Sequence, residues 1–169
     1  IFGGNADLVE STLQNFDARL DITPYEGGLI SLSGFYKYMV DPIENISLQV
    51  VGLGSVTTPV NYPDGHLYGF EFECRQDLGV LFGLEGLSIG GNFTKINSQV
   101  TLSDVERNNL ALAGYPATTR QMTGAPDYLV NAFLNFSLEQ TGTNFSIFYT
   151  LKGQTLQSGG AAAAGRQFY

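Results

Sequence analysis

Apolar and polar residues alternate with period two along most of the chain. From Gln14 to Ile22, Phe16, Ala18, Leu20 and Ile22 alternate with Asn15, Asp17, Arg19 and Asp21. In a strand successive side chains point to opposite faces, so this pattern predicts a strand with one greasy and one ionic face. The same alternation predicts strands near residues 13–23, 29–40, 66–76, 86–97, 127–138 and 144–153. Pro24-Tyr25-Glu26-Gly27-Gly28 is a turn between the first two, and Glu139-Gln140-Thr141-Gly142-Thr143 a turn between the last two. The chain also reverses between Gln76 and Gly86, so the strands group into three hairpins.

Two polar stretches separate these hairpins. Residues 41–65 contain Asp41-Pro42, Thr58-Pro59 and Tyr62-Pro63-Asp64-Gly65 and read as a long loop. Residues 97–126 form a second insert, in which Ser103-Asp104-Val105-Glu106 matches a capping box opening a short helix through Ala113. Ser158-Gly159-Gly160 and the alanines before Gly165 read as a further loop. Short connections of about five to ten residues thus alternate with connections of about 25 to 30, well beyond ordinary loop lengths. Such lopsided loops and two-faced strands are expected of an antiparallel up-and-down transmembrane β-barrel, with lipid outside and a polar lumen.

Charge placement agrees. Asp17, Arg19, Asp21, Lys37, Glu71, Glu73, Arg75 and Lys152 fall on the polar faces, and Lys95, read as lying at a strand end, is the exception. Tyr36, Tyr38, Tyr68, Tyr128 and Tyr149 sit on the apolar faces, several near strand ends, where an interfacial girdle would place them. Six strands do not close a barrel, since the smallest have about eight. The sequence therefore reads as about six strands of a larger barrel. Its alternatives are a complete small barrel with strands hidden at Val50-Val51-Gly52-Leu53 and Leu110-Ala111-Leu112, or a soluble all-β carbohydrate-binding module.

Composition narrows the function classes. Lys and Arg number 8 against 16 Asp and Glu, a formal charge of -8, and no basic cluster offers a nucleic-acid footprint. Charged residues are only 14% of the 169, and the apolar runs are too short for a spanning helix. The single cysteine, Cys74, excludes an internal disulfide and reads as a small hydrophobe on an apolar face. No cluster suggests catalysis, a metal or a cofactor. His66 follows Asp64-Gly65, which reads first as a turn, and Glu71-x-Glu73-x-Arg75 reads as a solvated salt-bridge ladder. The Asn-x-Ser/Thr triplets at Asn45, Asn92, Asn135 and Asn144 arise from alternation, three of them within strands.

Gly4-Asn5-Ala6-Asp7-Leu8-Val9-Glu10-Ser11 with Asn15-Phe16-Asp17 resembles a segment of TonB-dependent outer-membrane receptors, with Ala6 in place of the usual Pro. Ser33-Gly34-Phe35-Tyr36-Lys37, Gly69-Phe70-Glu71-Phe72-Glu73, Leu87 to Thr94, Arg120 to Pro126 and Tyr149-Thr150-Leu151-Lys152-Gly153 resemble later segments of that family in the same order. Ala125 and Thr150 depart from its usual Gln and Asn. The resemblance implies the late part of a roughly 22-stranded plugged barrel, with the plug and the TonB box outside this chain. It implies a receptor in the bacterial outer membrane for energised uptake of a scarce ligand, a siderophore, vitamin or oligosaccharide, and no enzyme chemistry. The implied partners are outer-membrane lipid, the plug, an inner-membrane energy-coupling protein acting through the plug, and a surface lipoprotein. Loops 41–65 and 97–126 would capture ligand; Asp17, Arg19, Asp21, Glu71, Glu73, Arg75, Asn92, Asn131 and Asn135 would face the lumen.

Overall fold

The computed structural model describes residues 1–160 except 51, 53 and 113. In chain order the elements are β1(Thr12–Ile22), β2(Gly28–Val40), β3(Ile43–Val50), β4(Gly54–Asn61), β5(Asp64–Asp77), α1(Leu78–Phe82), β6(Leu87–Thr101), α2(Asp104–Leu112), β7(Thr119–Arg120), β8(Tyr128–Leu138), β9(Thr143–Lys152) and β10(Gly159–Gly160). They build a seven-stranded sheet in the order β1-β2-β5-β6-β8-β9, with β7 on the end of β6, and a three-stranded sheet β10-β3-β4. The large sheet is antiparallel throughout, as its alternating pattern and short turns require. It is open: among the described residues, β1 and β9 are its edges.

Residues 41–65 are not a loop. They contain the β3–β4 hairpin, whose strands pair from Ile43 with Asn61 to Val50 with Gly54. The prolines that suggested a loop are accommodated at its margins. Pro42 and Pro63 flank the strands, and Pro59 lies in β4, whose other edge, among the described residues, meets the segment before β1. There Thr57 N–H donates to the Ile1 carbonyl oxygen at 2.9 Å and Gly3 N–H to the Thr57 carbonyl oxygen at 2.8 Å. A missing donor is tolerated on such a margin. The Asp64-Gly65 pair is likewise no turn, because both residues already lie in β5, paired with Val40 and Met39.

The proposed hidden barrel strands resolve differently. Val50 ends β3 and Gly52 sits at the hairpin tip with φ 84°, so this segment belongs to the small sheet; Val51 and Leu53 lie outside the described residues. Leu110 to Leu112 lies in α2, where Ser103 Oγ accepts the Glu106 N–H at 3.3 Å. Ala113, the expected helix end, is outside the described residues. Residues Gly159 and Gly160, read as loop, pair in parallel with Ile46 and Ser47, a backbone ladder that no side-chain pattern could signal. β6 runs to Thr101, so Lys95 stands inside the strand, opposite Tyr128 at the first rung of β8, and not at a strand end.

The connections sort by length. The β1–β2, β5–β6 and β8–β9 turns are at one end of the large sheet; the β3–β4 hairpin, α2, β7 and the segment after β9 are at the other. These inserts fold into one cap with its own small core of Tyr62, Val100, Leu102 and Met122, flanked by Met39, Ile46, Val60, Leu67 and Leu110. The sheet itself has almost no buried apolar core. Phe16, Leu20, Leu32, Phe72, Phe93, Ile147 and Tyr149 all stand exposed on one face.

Candidate functional site

Residues directly opposite in antiparallel strands share a face, so the register sorts the side chains. One row across the sheet reads Leu20, Leu32, Phe72, Phe93, Val130, Leu151. The next row on that face reads Ile22, Ile30, Cys74, Gly91, Ala132, Tyr149. The opposite face carries the row Asp21, Ser31, Glu73, Asn92, Asn131, Thr150. One face thus carries an apolar band and the other an unbroken polar row.

All nine residues expected on the polar face share it. The structure ties them into two groups. Arg19 donates through Nε to Asp21 at 2.8 Å and through Nη2 to Glu73 at 2.9 Å. Asn131 Nδ2 donates to Asn92 Oδ1 at 2.8 Å, and Thr150 Oγ1 to Asn131 Oδ1 at 2.9 Å. The expected ladder within β5 is therefore replaced by a bridge across strands. Glu73 pairs with Arg19, two strands away, and not with Arg75 on its own strand, the long arginine of β1 reaching diagonally across β2 past Ser33 and Ser31. Asn135 lies on the same face opposite Ser88 and Ser146. On the polar face two glycines leave room for aromatic rings: a Cβ at Gly69 would run into the Lys95 carbonyl and the Phe35 ring, and one at Gly90 into the Phe133 ring.

Sequence reasoning missed the buried polar cluster in the cap. Arg120, on β7, is 5% exposed. Its Nη1 donates to Glu44 and its Nε to Glu106 at 3.1 Å, while its guanidinium carbon lies 4.8 Å over the Tyr62 ring. The Tyr62 hydroxyl donates to Glu106, and Glu44 also accepts the Thr123 N–H at 3.0 Å. Burial pushes the Glu44 carboxyl above its ordinary pKa against the pull of Arg120. Burial works against the Arg120 charge, but Glu44, Tyr62 and Glu106 together hold its pKa above the usual value. The Tyr62 hydroxyl is pushed up as well, by burial first and then by its bond to Glu106. One guanidinium thus joins β3, α2, β7 and the β4–β5 connection. Glu44 and Arg120 are 76 residues apart, and each reads in sequence as a lone charge in a polar insert. The signal that could have found them is the scarcity of charge in this chain.

A sheet of long antiparallel strands, apolar on one exposed face and polar on the other, with short turns at one end and a folded cap at the other, defines the wall of a membrane β-barrel. Residues 1–167 match the family model described as TonB dependent receptor-like, beta-barrel, and the chain belongs to that family. A crystal structure of the ferric enterobactin receptor (PfeA) mutant (G324V) from Pseudomonas aeruginosa has the same fold over 94% of this chain, with a TM-score of 0.54 at 14% identity. The chain spans 22% of that structure's length. No curated protein sequence matches it. The family is one of outer-membrane receptors and transporters, which work with a plug and TonB-coupled energy transduction.

Proposed function

We propose that this chain is a stretch of barrel wall and outer vestibule from an outer-membrane receptor that takes up a scarce ligand with energy supplied through a plug. The observation that carries the reading is the two-faced register: lipid would meet the Leu20–Leu151 row, and the plug would meet the Asp21–Thr150 row. An Arg or Lys at mid-bilayer would cost about 2 to 4 kcal/mol. Lys95, the one base within the apolar band, is level with Tyr128, where its ammonium can reach toward headgroups. The nine polar-face residues would then line the lumen, with the amide and hydroxyl groups of Asn92, Asn131 and Thr150 turned to the plug.

The cap places the inserts on the end away from the short turns, which in such barrels is the outside. Regions 41–65 and 97–126 would bound the vestibule where ligand is first held. A folded cap with a buried ionic cluster gives that vestibule a fixed shape, which lowers the ordering cost of binding. A siderophore, a vitamin and an oligosaccharide all fit this role. Energy would come from an inner-membrane coupling protein through the plug, and a surface lipoprotein would dock at the cap.

An antibody raised against the cap tests the reading in the parent organism. The expected result is a band several times the 18.3 kDa of this chain, extracted from the outer membrane with detergent and reached by the antibody on intact cells. A band near 18.3 kDa, or one in the soluble fraction, would overturn it.

A further inference from the structure

On the apolar side of the sheet, just beyond the band of hydrophobic residues and toward the cap, lies a polar pocket of about 360 Å³. It opens where β8 stops short of the upper part of β6, so that β6 is flanked there by β7 and the segment leading to β8. Two aromatic side chains line it. His66 and Tyr68, two apart on β5, stack with ring centroids 6.2 Å apart and planes inclined by 22°. Around them stand Asn97 and Gln99 from β6, Thr119 and Arg120 from β7, and Gln121 and Asp127 from the segment between β7 and β8.

The hydrogen bonds within the walls leave the pocket with free acceptors and donors. Gln99 Nε2 donates to Thr119 Oγ1 at 2.6 Å, and Gln121 Nε2 donates to the Ala125 carbonyl at 2.8 Å and to Asp127 at 3.1 Å. Both glutamines are thus held in place by their amide nitrogens, with their amide oxygens open. Among the described residues, the Asn97 amide and the Tyr68 hydroxyl have no side-chain partner. The charge balance selects the ligand class. Arg120 also lines the pocket: its Nη1 and Nε are committed to Glu44 and Glu106, while Nη2 is buried without a partner, so one carboxylate, Asp127, is set against one spare guanidinium N–H, a balance that suits a neutral ligand better than a polyanion. The walls are too polar for an acyl chain.

A stacked aromatic pair with amide and carboxylate groups beside it suits a neutral polyhydroxyl ring. The sugar's C–H face packs on the negative face of the aromatic rings, and its hydroxyls pair with the amides and Asp127. The volume falls within the roughly 300 to 1,000 Å³ of small-molecule sites. We propose that this pocket binds a hexose unit on the outer surface of the barrel wall, away from the lumen. β5 and β6 are paired on both sides, so further strands of a barrel would not cover it. Two sources share this chemistry, the sugar headgroup of an outer-leaflet glycolipid and a soluble glycan. The outer placement and the choice between them rest on the membrane reading above; the sugar binding does not.

The test uses the full-length parent receptor, purified in detergent and also placed in phosphatidylcholine vesicles with and without the neutral glycolipid digalactosyl diacylglycerol. Titration calorimetry in detergent uses the free neutral headgroup, digalactosyl glycerol, and co-flotation with the vesicles reports membrane insertion separately. The wild type is expected to bind the sugar, and Tyr68→Ala and Asn97→Ala to weaken binding at least tenfold, while Tyr68→Phe, which keeps the ring, stays within about threefold. Binding of the free headgroup with no gain when the same sugar is lipid-borne assigns a soluble glycan; clearly tighter binding of the lipid-borne sugar assigns the lipid headgroup. No binding of either, or equal binding by wild type, Tyr68→Ala and Asn97→Ala, would overturn the proposal. Failure to insert into vesicles with sugar binding intact would count against the membrane reading and leave the pocket standing.

Discussion

Replacing Arg120 with Met keeps much of the side-chain length and removes the charge, and the consequence can be worked from its surroundings. The guanidinium is 5% exposed, faces two buried carboxylates and covers the Tyr62 ring. Without it Glu44 and Glu106 are left as neighbouring acids in a poorly solvated site. Removing one partner of a buried ionic cluster costs about 3 to 5 kcal/mol, because the remaining charge is uncompensated. The cation–π contact would add roughly 0.5 to 2 kcal/mol, although the two losses overlap and do not sum. At about 1.4 kcal/mol per factor of ten, 3 to 5 kcal/mol corresponds to a cap that opens about one hundred to several thousand times more often. The barrel wall hides so local a change from global unfolding, so the assay is amide hydrogen exchange on the full-length receptor. Faster exchange is expected at Tyr62, Leu102 and Gly124, whose N–H groups donate within the cap, and unchanged exchange in β5 below Tyr68. Equal exchange in wild type and Arg120→Met at the cap amides would refute the argument that this cation holds the inserts together.

The cluster has one more acid than base, and its pH dependence follows in sign. Burial raises the Glu44 carboxyl, so the folded cap favours its protonated form; the Glu44 contribution is complete below the unfolded value of about 4.3 and is lost as pH rises through the higher folded value. Cap exchange should therefore slow, after correction for intrinsic rates, as pH falls from neutrality toward that value, and Glu44→Gln should flatten the slope; an unchanged slope in the variant would contradict it. The two faces of β2 give a paired test: Leu32→Arg, in the apolar row, should reduce assembled barrel in the outer membrane by an amount reflecting about 2 to 4 kcal/mol, whereas Ser33→Arg, on the polar face opposite Arg19 and Glu71, should change it little. Equal losses in both would undo the assignment of faces. Replacing residues 43–61 with a short turn should weaken surface capture of the receptor's ligand by intact cells while the heat-modifiable barrel band persists, and unchanged capture would remove the hairpin from the vestibule.

The sequence by itself determined the wall. Alternation between two faces is a local property, set residue by residue by the pleat, and it survives any error in strand length. It therefore sorted Asp17, Arg19, Asp21, Glu71, Glu73, Arg75, Asn92, Asn131 and Asn135 onto one face before any pairing was known. The turns were legible for a similar reason, since Gly27 and Gly142, with φ near 69° and 64°, sit where the chain reverses. What only the tertiary structure decided was the cap. The β3–β4 hairpin is punctuated by prolines that read as loop, and they are tolerated because the strand margins lack a full ladder. β10 is two glycines that mean nothing until β3 lies beside them. The Glu44, Tyr62, Glu106 and Arg120 cluster is assembled from four separate segments, so its charges acquire a role only when folding excludes water from all of them together. The polar pocket beside Tyr68 arises in the same way, from β8 ending before β6 does. Faces follow from nearest neighbours in sequence; buried clusters and pockets follow from which segments exclude water jointly, and that is decided in three dimensions.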